Sequence, residues 1–283
     1  VDALNSAVRD ERDLGAFSYY TPDHIKKIFE AINKAGLKHS GNYGMFALGA
    51  YNGQGANRGD ENDNYHIVSR FTYPWKTESG QIYEAGIQAY KGKFVSRTGE
   101  YSRRNPVSGA LASVKPDLGS GAPLSNRNGI DDERVGVSFM MYPQPFGIQA
   151  EWNWGKTPGL DTTLGSTGQI VEKNLHGGYV QAMYKIDNFH LFDSNGTLIP
   201  FVKWQYFDGY SKAETNSPRN LVNDWEWGME WQIAPEVELS AVYHVMKRSN
   251  LVTGNRASAS TSNHLAAVED YELFDAKALR VQL

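Results

Sequence analysis

The sequence predicts an all-β protein built as a transmembrane antiparallel β-barrel, and three observations point there. The first is a period of two. Between residues 221 and 248, Trp225, Trp227, Met229 and Trp231 alternate with Glu226, Gly228, Glu230 and Gln232, the mark of a strand with one apolar and one polar face. After a turn at Ala234, Pro235 and Glu236 the alternation resumes, with Val237, Leu239, Ala241, Tyr243 and Val245 against Glu238, Ser240, His244 and Met246. This is a hairpin, and each arm of about ten residues is what a tilted strand needs to cross a bilayer. The second observation is that connections alternate in length: brief near 76–81, 143–146 and 234–236, somewhat longer at 187–197, and long at 52–64, 94–132, 155–174, 208–220 and 248–274. Membrane barrels have short turns at one end and long loops at the other. The third is aromatic placement. Trp75, Trp152, Trp154, Trp204, Trp225, Trp227 and Trp231 fall on the apolar parity of a strand or at a strand end, as interfacial girdles require.

The elements follow in order. Residues 1–12 have no strand pattern and read as loop. A short strand at 14–20 precedes a change of period: Ile25, Ile28, Phe29, Ile32 and Ala35 share one face of a helix. Thr21 or Asp23 can cap it and Gly36 can end it, giving one short periplasmic helix. Strands follow at 43–51, 65–73, 82–91, 134–142, 146–154, 176–186 and 198–207, then the hairpin, then 276–283, where Leu279, Val281 and Leu283 alternate with Ala278, Arg280 and Gln282. These are about eleven strands, and bacterial barrels close with an even number. The expectation is a single barrel domain over 1–283 with further strands preceding it. Residues 94–132 hold many Gly, Ser and Pro and no sustained period; a loop that long is functional or hides further elements.

Composition excludes several classes. A net charge of -4 and a pI near 6.0 make no electrostatic case for nucleic acid. Mean hydropathy is -0.52, and no run approaches the length of a membrane helix; neither opposes a barrel, because half of every strand faces a wet lumen. Cysteine is absent, which fits an exported protein and many cytosolic ones. No pair among the seven histidines has zinc-site spacing on a helix, and no nucleophile elbow or Walker loop occurs. Neither catalysis nor a metal or cofactor is expected. Residues 60–64 (DENDN) lack the EF-hand glycine and final glutamate and read as a solvated loop, with a calcium- or lipopolysaccharide-bridging role as the sharper alternative.

Arg12, Asp13, Leu14 and Gly15, the run LGAYNGQG at 48–55, FGIQAEWN at 146–153 and the closing LRVQL at 279–283 resemble the phosphate-selective porin O/P family over nearly the whole chain. The resemblance implies an outer-membrane barrel of about sixteen strands when complete, assembled as a homotrimer, with some loops folded inward. It also implies that 1–12 ends one such loop and that 94–132 is a second. Arg9, Arg12, Arg97, Arg103 and Arg104 are then the cations of a pore constriction. The lumen parity supplies a mixed wall of His66, Arg70, Glu84, Glu151, Lys203, Glu226, Glu230 and Arg280. The expected function is passive diffusion of small hydrophilic solutes or ions, including anions, through the bacterial outer membrane, with membrane lipid and lipopolysaccharide as surroundings. The alternative is a soluble or surface-exposed β-rich carbohydrate-binding protein that uses its aromatics as stacking platforms. The uncharged parity of Ile67, Phe71, Ala85, Ile87, Val137, Phe139, Val180, Ala182, Val202, Val237 and Leu239 favours the membrane, since a binding module would scatter charges over its wet face.

Overall fold

The computed structural model describes residues 13–41, 44–55, 59, 61–104, 108, 110–116, 128–191, 194–234, 237–251 and 271–283. Their core is one twelve-stranded antiparallel sheet. It comprises β1 (Gly15–Tyr20), β2 (Phe46–Tyr51), β3 (His66–Lys76), β4 (Ile82–Phe94), β7 (Ile130–Met141), β8 (Phe146–Asp161), β9 (Gln169–Tyr184), β10 (Ile186–Leu191), β11 (Ser194–Tyr210), β12 (Arg219–Ala234), β13 (Val237–Leu251) and β14 (Tyr271–Gln282). Neighbours in sequence are neighbours in the sheet, save that β10 flanks β11 beside the main path. Among the described residues no ladder joins β1 to β14. Two short strands, β5 (Tyr101–Arg104) and β6 (Leu111–Val114), form a separate hairpin between β4 and β7.

The eleven expected strands are the eleven of the main path, but most run further than alternation indicates. β8 and β9 stay paired as far as Asp161↔Gln169, and β11 and β12 as far as Tyr210↔Arg219. The long connections 155–174 and 208–220 thereby shrink to 162–168 and 211–218. Beyond the apolar stretch apolar and polar side chains no longer alternate strictly, so the period of two fades while backbone pairing continues. Cross-strand ion pairs such as Lys156–Glu172 at 2.8 Å occupy this extension. Connection 187–197 is not a plain turn: only Lys185 separates β9 from β10, which pairs back onto β11. Strand 43–51 starts later, at Phe46.

The helix, α1 (Asp23–Lys34), forms where its period predicts, burying Ile25, Phe29 and Ile32. Its start corrects the expected cap. Pro22 is the N-cap residue and no side chain caps it, because Thr21 Oγ1 is taken by the Met45 amide at 3.3 Å and Asp23 pairs with Lys26 at 3.0 Å. Its end is as expected. Gly36, at φ 70°, donates to Asn33 O while the Leu37 amide donates to Ile32 O, a Schellman closure needing a left-handed residue.

That helix lies against the polar-parity face at the short-turn end, in a cluster with Leu37, Ile82, Tyr142, Met183 and Ile199. The cluster therefore gathers side chains from β4 to β11. On a flat sheet those strands would lie about 19 Å apart, four intervals of about 4.8 Å, whereas one helix is about 10–12 Å across. The sheet curls around α1.

The opposite face is exposed and apolar. Ile67, Phe71, Ile87, Val137, Phe139, Val180 and Val237 are all exposed on it. Aromatic rings border it in two rows. Near the short turns stand Trp75 and Tyr83, stacked at 5.5 Å, with Phe139, Phe146 and Tyr184. Toward the long loops run Trp152, Trp204, Tyr206, Trp225 and Trp227, with neighbouring centroids 6.0–6.5 Å apart. Trp152 and Tyr206 lie on strands separated by β9, and they stack because Gly178 stands between them in register. From Phe146 to Trp152 the rows are about 20 Å apart along β8 at ~3.4 Å per residue, or about 16 Å once tilted. Trp231 departs from the pattern: it is buried under Phe189 of β10, edge-on at 6.2 Å.

Candidate functional site

The polar-parity face carries the chemistry. Antiparallel register sets Lys203, Glu226 and His244 on one rung across β11, β12 and β13. Glu226 is buried and receives Lys203 Nζ at 2.6 Å, His244 Nδ1 at 3.3 Å and the Gln205 amide. A buried carboxylate needs such partners to stay charged. Beside it Asp224 accepts Arg248 Nε at 3.0 Å. Near the long loops Asp132 meets Lys212, the Tyr90 hydroxyl at 3.2 Å and, at 3.8 Å, His66. His66 stacks on Tyr90 and its Nε2 lies 3.3 Å from Lys93 O. Arg134 donates to the Tyr90 hydroxyl at 2.8 Å and lies over its ring.

Nearer α1, Glu84 is buried between the Tyr142 hydroxyl at 2.7 Å and Ser40. Arg70 donates to Thr72 Oγ1 at 2.9 Å. Glu230 and Glu238 share Lys38 at 3.2 and 2.9 Å. Burial works against the Lys38 charge, but hydrogen bonds and attraction from these two carboxylates outweigh it and raise its pKa. His39 stacks on Phe29 at 4.8 Å and accepts the Gly41 amide. Burial lowers its pKa against the opposing pull of Glu84. Glu151 accepts from Asn153 Nδ2 at 2.9 Å and Gln88 Nε2 at 3.4 Å. Arg280 lies on β14 opposite Val242 and is exposed.

At the long-loop end the β5–β6 hairpin is tied across the sheet. Tyr101, with Leu160 and Ile170, forms a second small core, and its hydroxyl donates to Thr167 O at 2.7 Å. Arg103 donates to Thr162 O at 2.7 Å and to Gly165 O at 3.2 Å, so its guanidinium is spent on the β8–β9 loop. The Gly99 amide donates to Asn216 Oδ1 at 2.8 Å, the Asn216 amide to Arg97 O at 2.7 Å, and Ser96 and Ser217 hydroxyls meet at 3.0 Å. Arg97 itself is exposed. Arg104 ends β5 opposite Leu111. Arg9 and Arg12 lie outside the described residues, as does the side chain of Arg104.

Of the wall residues read from parity, Lys203 and Glu226 meet directly, while His66, Arg70, Glu84, Glu151 and Glu230 have separate partners. Asp132, Arg134, Asp224, Arg248, Lys212 and Lys38 escaped that reading. Arg134 was available from the parity of Gly136 and Ser138 within the strand 134–142, and Asp132 would have been had the strand been carried back to Ile130. Lys212 and Lys38 sit in connections, where no period exists to place them.

The family described as phosphate-selective porin O and P matches residues 21–268, most of the chain. No curated protein and no solved structure matches it. A curled antiparallel sheet with an apolar outer face and an ion-paired inner one is what a porin wall requires, and the chain belongs to the phosphate-selective porin O and P family, whose members are channels of the bacterial outer membrane.

Proposed function

We propose that this sheet is the wall of a closed transmembrane barrel through which small hydrophilic solutes and ions diffuse passively. The observation that carries it is the division of faces: an exposed uncharged band between two aromatic rows, set against a face where nearly every carboxylate has a cation. The rows stand about 16 Å apart across the band, counted between the ring-bearing positions of β8, and the rings themselves extend it toward the ~25 Å apolar band of outer-membrane barrels. A carbohydrate-binding protein would present its aromatics as a platform in water and has no use for the band between the rows.

The β5–β6 hairpin narrows the mouth at the long-loop end, with Arg97 and Arg103 as cations there, and the family likeness adds Arg9, Arg12 and Arg104 to the same constriction. Such rings set channel selectivity, which here supports anion entry at that mouth. The helix α1 narrows the opposite mouth. The family likeness supports a homotrimer, and Lys91, Lys93 and Lys156, just beyond the upper aromatic row, suit the phosphates of lipopolysaccharide. Purified protein should require detergent, shift on gels when heated, and open ion-conducting channels in planar bilayers. Recovery as a soluble, non-conducting protein would sink this reading. Cross-linking of the purified protein to a trimer tests assembly, a lone monomer band being the contrary result.

A further inference from the structure

We propose that the β11–β12 loop, residues 211–218, is a crossbar inside the channel, latched by the Lys212–Asp132 ion pair, and that it sets the size limit for solutes at the long-loop end. The inference rests on the pore reading of the polar face and adds a second element to its narrow part. The loop reads SKAETNSP, almost wholly polar. A connection of that composition ordinarily runs over the surface in contact with water. Here five of its eight residues are buried and the other three half-buried.

The partners that cover the loop trace its course. Lys212 Nζ meets Asp132 of β7 and the Tyr90 hydroxyl of β4 at 3.3 Å, and it lies 5.2 Å from the ring centroids of both Tyr90 and Phe94. The Leu160 amide of β8 donates to Ser217 O at 3.0 Å. Asn216 is joined through its amide to Arg97 O and through Oδ1 to the Gly99 amide, and the Ser217 hydroxyl meets that of Ser96. The loop leaves β11 and returns to β12, yet it is bonded to β8, β7, β4 and the segment after β4. On a flat sheet β7 lies about 14 Å from β11, three intervals of about 4.8 Å. The loop therefore runs across the strands. Tyr90, Phe94 and Asp132 belong to the polar parity, the side on which the sheet curls around α1, so the crossing is made within the curl.

The loop is built as a fixed bar. The Ser211 amide donates to Pro218 O at 2.9 Å and closes its base. Asn216 and Ser217 stand at φ 68° and 44°, a left-handed backbone that residues with side chains rarely adopt. Such a conformation persists where the surroundings over-determine it, and the bonds to Ser96, Arg97, Gly99 and Leu160 do so here. Because Asp132 neutralises Lys212, the bar restricts passage by its volume and leaves charge selection to the arginines of the hairpin end.

Single-channel conductance and the exclusion of polyethylene glycols of graded size test the crossbar on reconstituted full-length protein. Lys212→Met combined with Asp132→Asn removes the latch without changing the net charge. We expect conductance to rise about twofold, larger glycols to enter, and the potassium-to-chloride permeability ratio to stay at the parent value. Adding Ser96→Cys and Ser217→Cys ties the loop back, since the two hydroxyls are 3.0 Å apart and the chain has no other cysteine. Once mass spectrometry shows the disulfide, conductance and exclusion should return to parent values, and reduction should release them again. Unchanged conductance and exclusion in the unlatched variant overturn the crossbar and leave the pore reading intact; a rise that the disulfide fails to reverse overturns it too. Wild-type protein that forms no channel overturns the pore reading, and the crossbar with it. If the unlatched variant lacks the heat shift of folded protein, Asn216→Gly decides. Glycine suits the left-handed backbone but removes the bond to Gly99, so larger glycols should enter, and unchanged exclusion refutes the proposal.

Discussion

The two ends of the sheet hold α1 and the β5–β6 hairpin by different physics. At the short-turn end α1 is held by apolar burial: Ile25, Phe29 and Ile32 are nearly inaccessible and face Tyr142, Met183 and Ile199. At the long-loop end the β5–β6 hairpin is held chiefly by hydrogen bonds to backbone: Tyr101 and Arg103 donate to carbonyls of the β8–β9 loop, and the Asn216 amide of the β11–β12 loop donates to Arg97 O just before the hairpin. Burial is non-directional and tolerates rearrangement; hydrogen bonds to carbonyls fix a loop in one pose but compete with water. The helix end should therefore resist solvent changes and fail by cavity formation. The hairpin end should be the softer and more adjustable of the two.

The largest effect that would break this contrast is at the helix. Phe29→Ala removes a buried ring and should cost about 3–5 kcal/mol in docking α1. Faster proteolysis near residues 35–41 and a higher single-channel conductance would show it. Unchanged values of both would mean that α1 is not held by its apolar face or does not narrow the pore.

Between the two ends, the apolar band sets the reference. Val137→Arg should cost about 2–4 kcal/mol if the side chain lies near the bilayer midplane, read from unfolding in membranes by denaturant. Leu239→Arg should behave alike on the far side of the sheet. Arginine variants as stable as the parent would reverse the assignment of faces.

At the hairpin end, Arg103→Ala removes two charge-assisted bonds and should loosen the β5–β6 hairpin by about 1–3 kcal/mol. Anion permeability should fall relative to cations, more so in combination with Arg104→Ala. Faster amide exchange at 162–168 would register the lost anchor. If the reversal potential does not move, Arg103 is a tie and not a selectivity group.

The smallest effect concerns pH at the helix end. His39 is favoured neutral in the fold, because burial lowers its pKa below 6.5. Its contribution is complete above the unfolded value and is lost as pH falls through the lower folded one, so acidification should loosen the segment after α1. Proteolysis of that segment at pH 5 against pH 7 measures this, and His39→Phe should abolish the difference. Equal cleavage in the parent at both values would show that His39 protonates without cost.

What the sequence determined is whatever repeats. A two-residue period placed eleven strands and assigned each side chain to one of two faces, so that Val137, Trp225 and Glu226 could be sorted without coordinates. The 3.6-residue period marked α1, and Gly36 marked its end. The tertiary structure decided what does not repeat. Strand ends beyond Trp154 and Phe207 are paired by backbone bonds that leave no trace in side-chain polarity. The hairpin of 101–114 exists because Thr162, Gly165 and Thr167 offer carbonyls across the sheet, and no local pattern records a carbonyl's position. Register and curl together decided the site itself: Lys203, Glu226 and His244 meet because three strands align at one rung. Lys212 reaches Asp132 across β8 and β9 from a connection without period, a meeting of charges that one-dimensional spacing cannot encode.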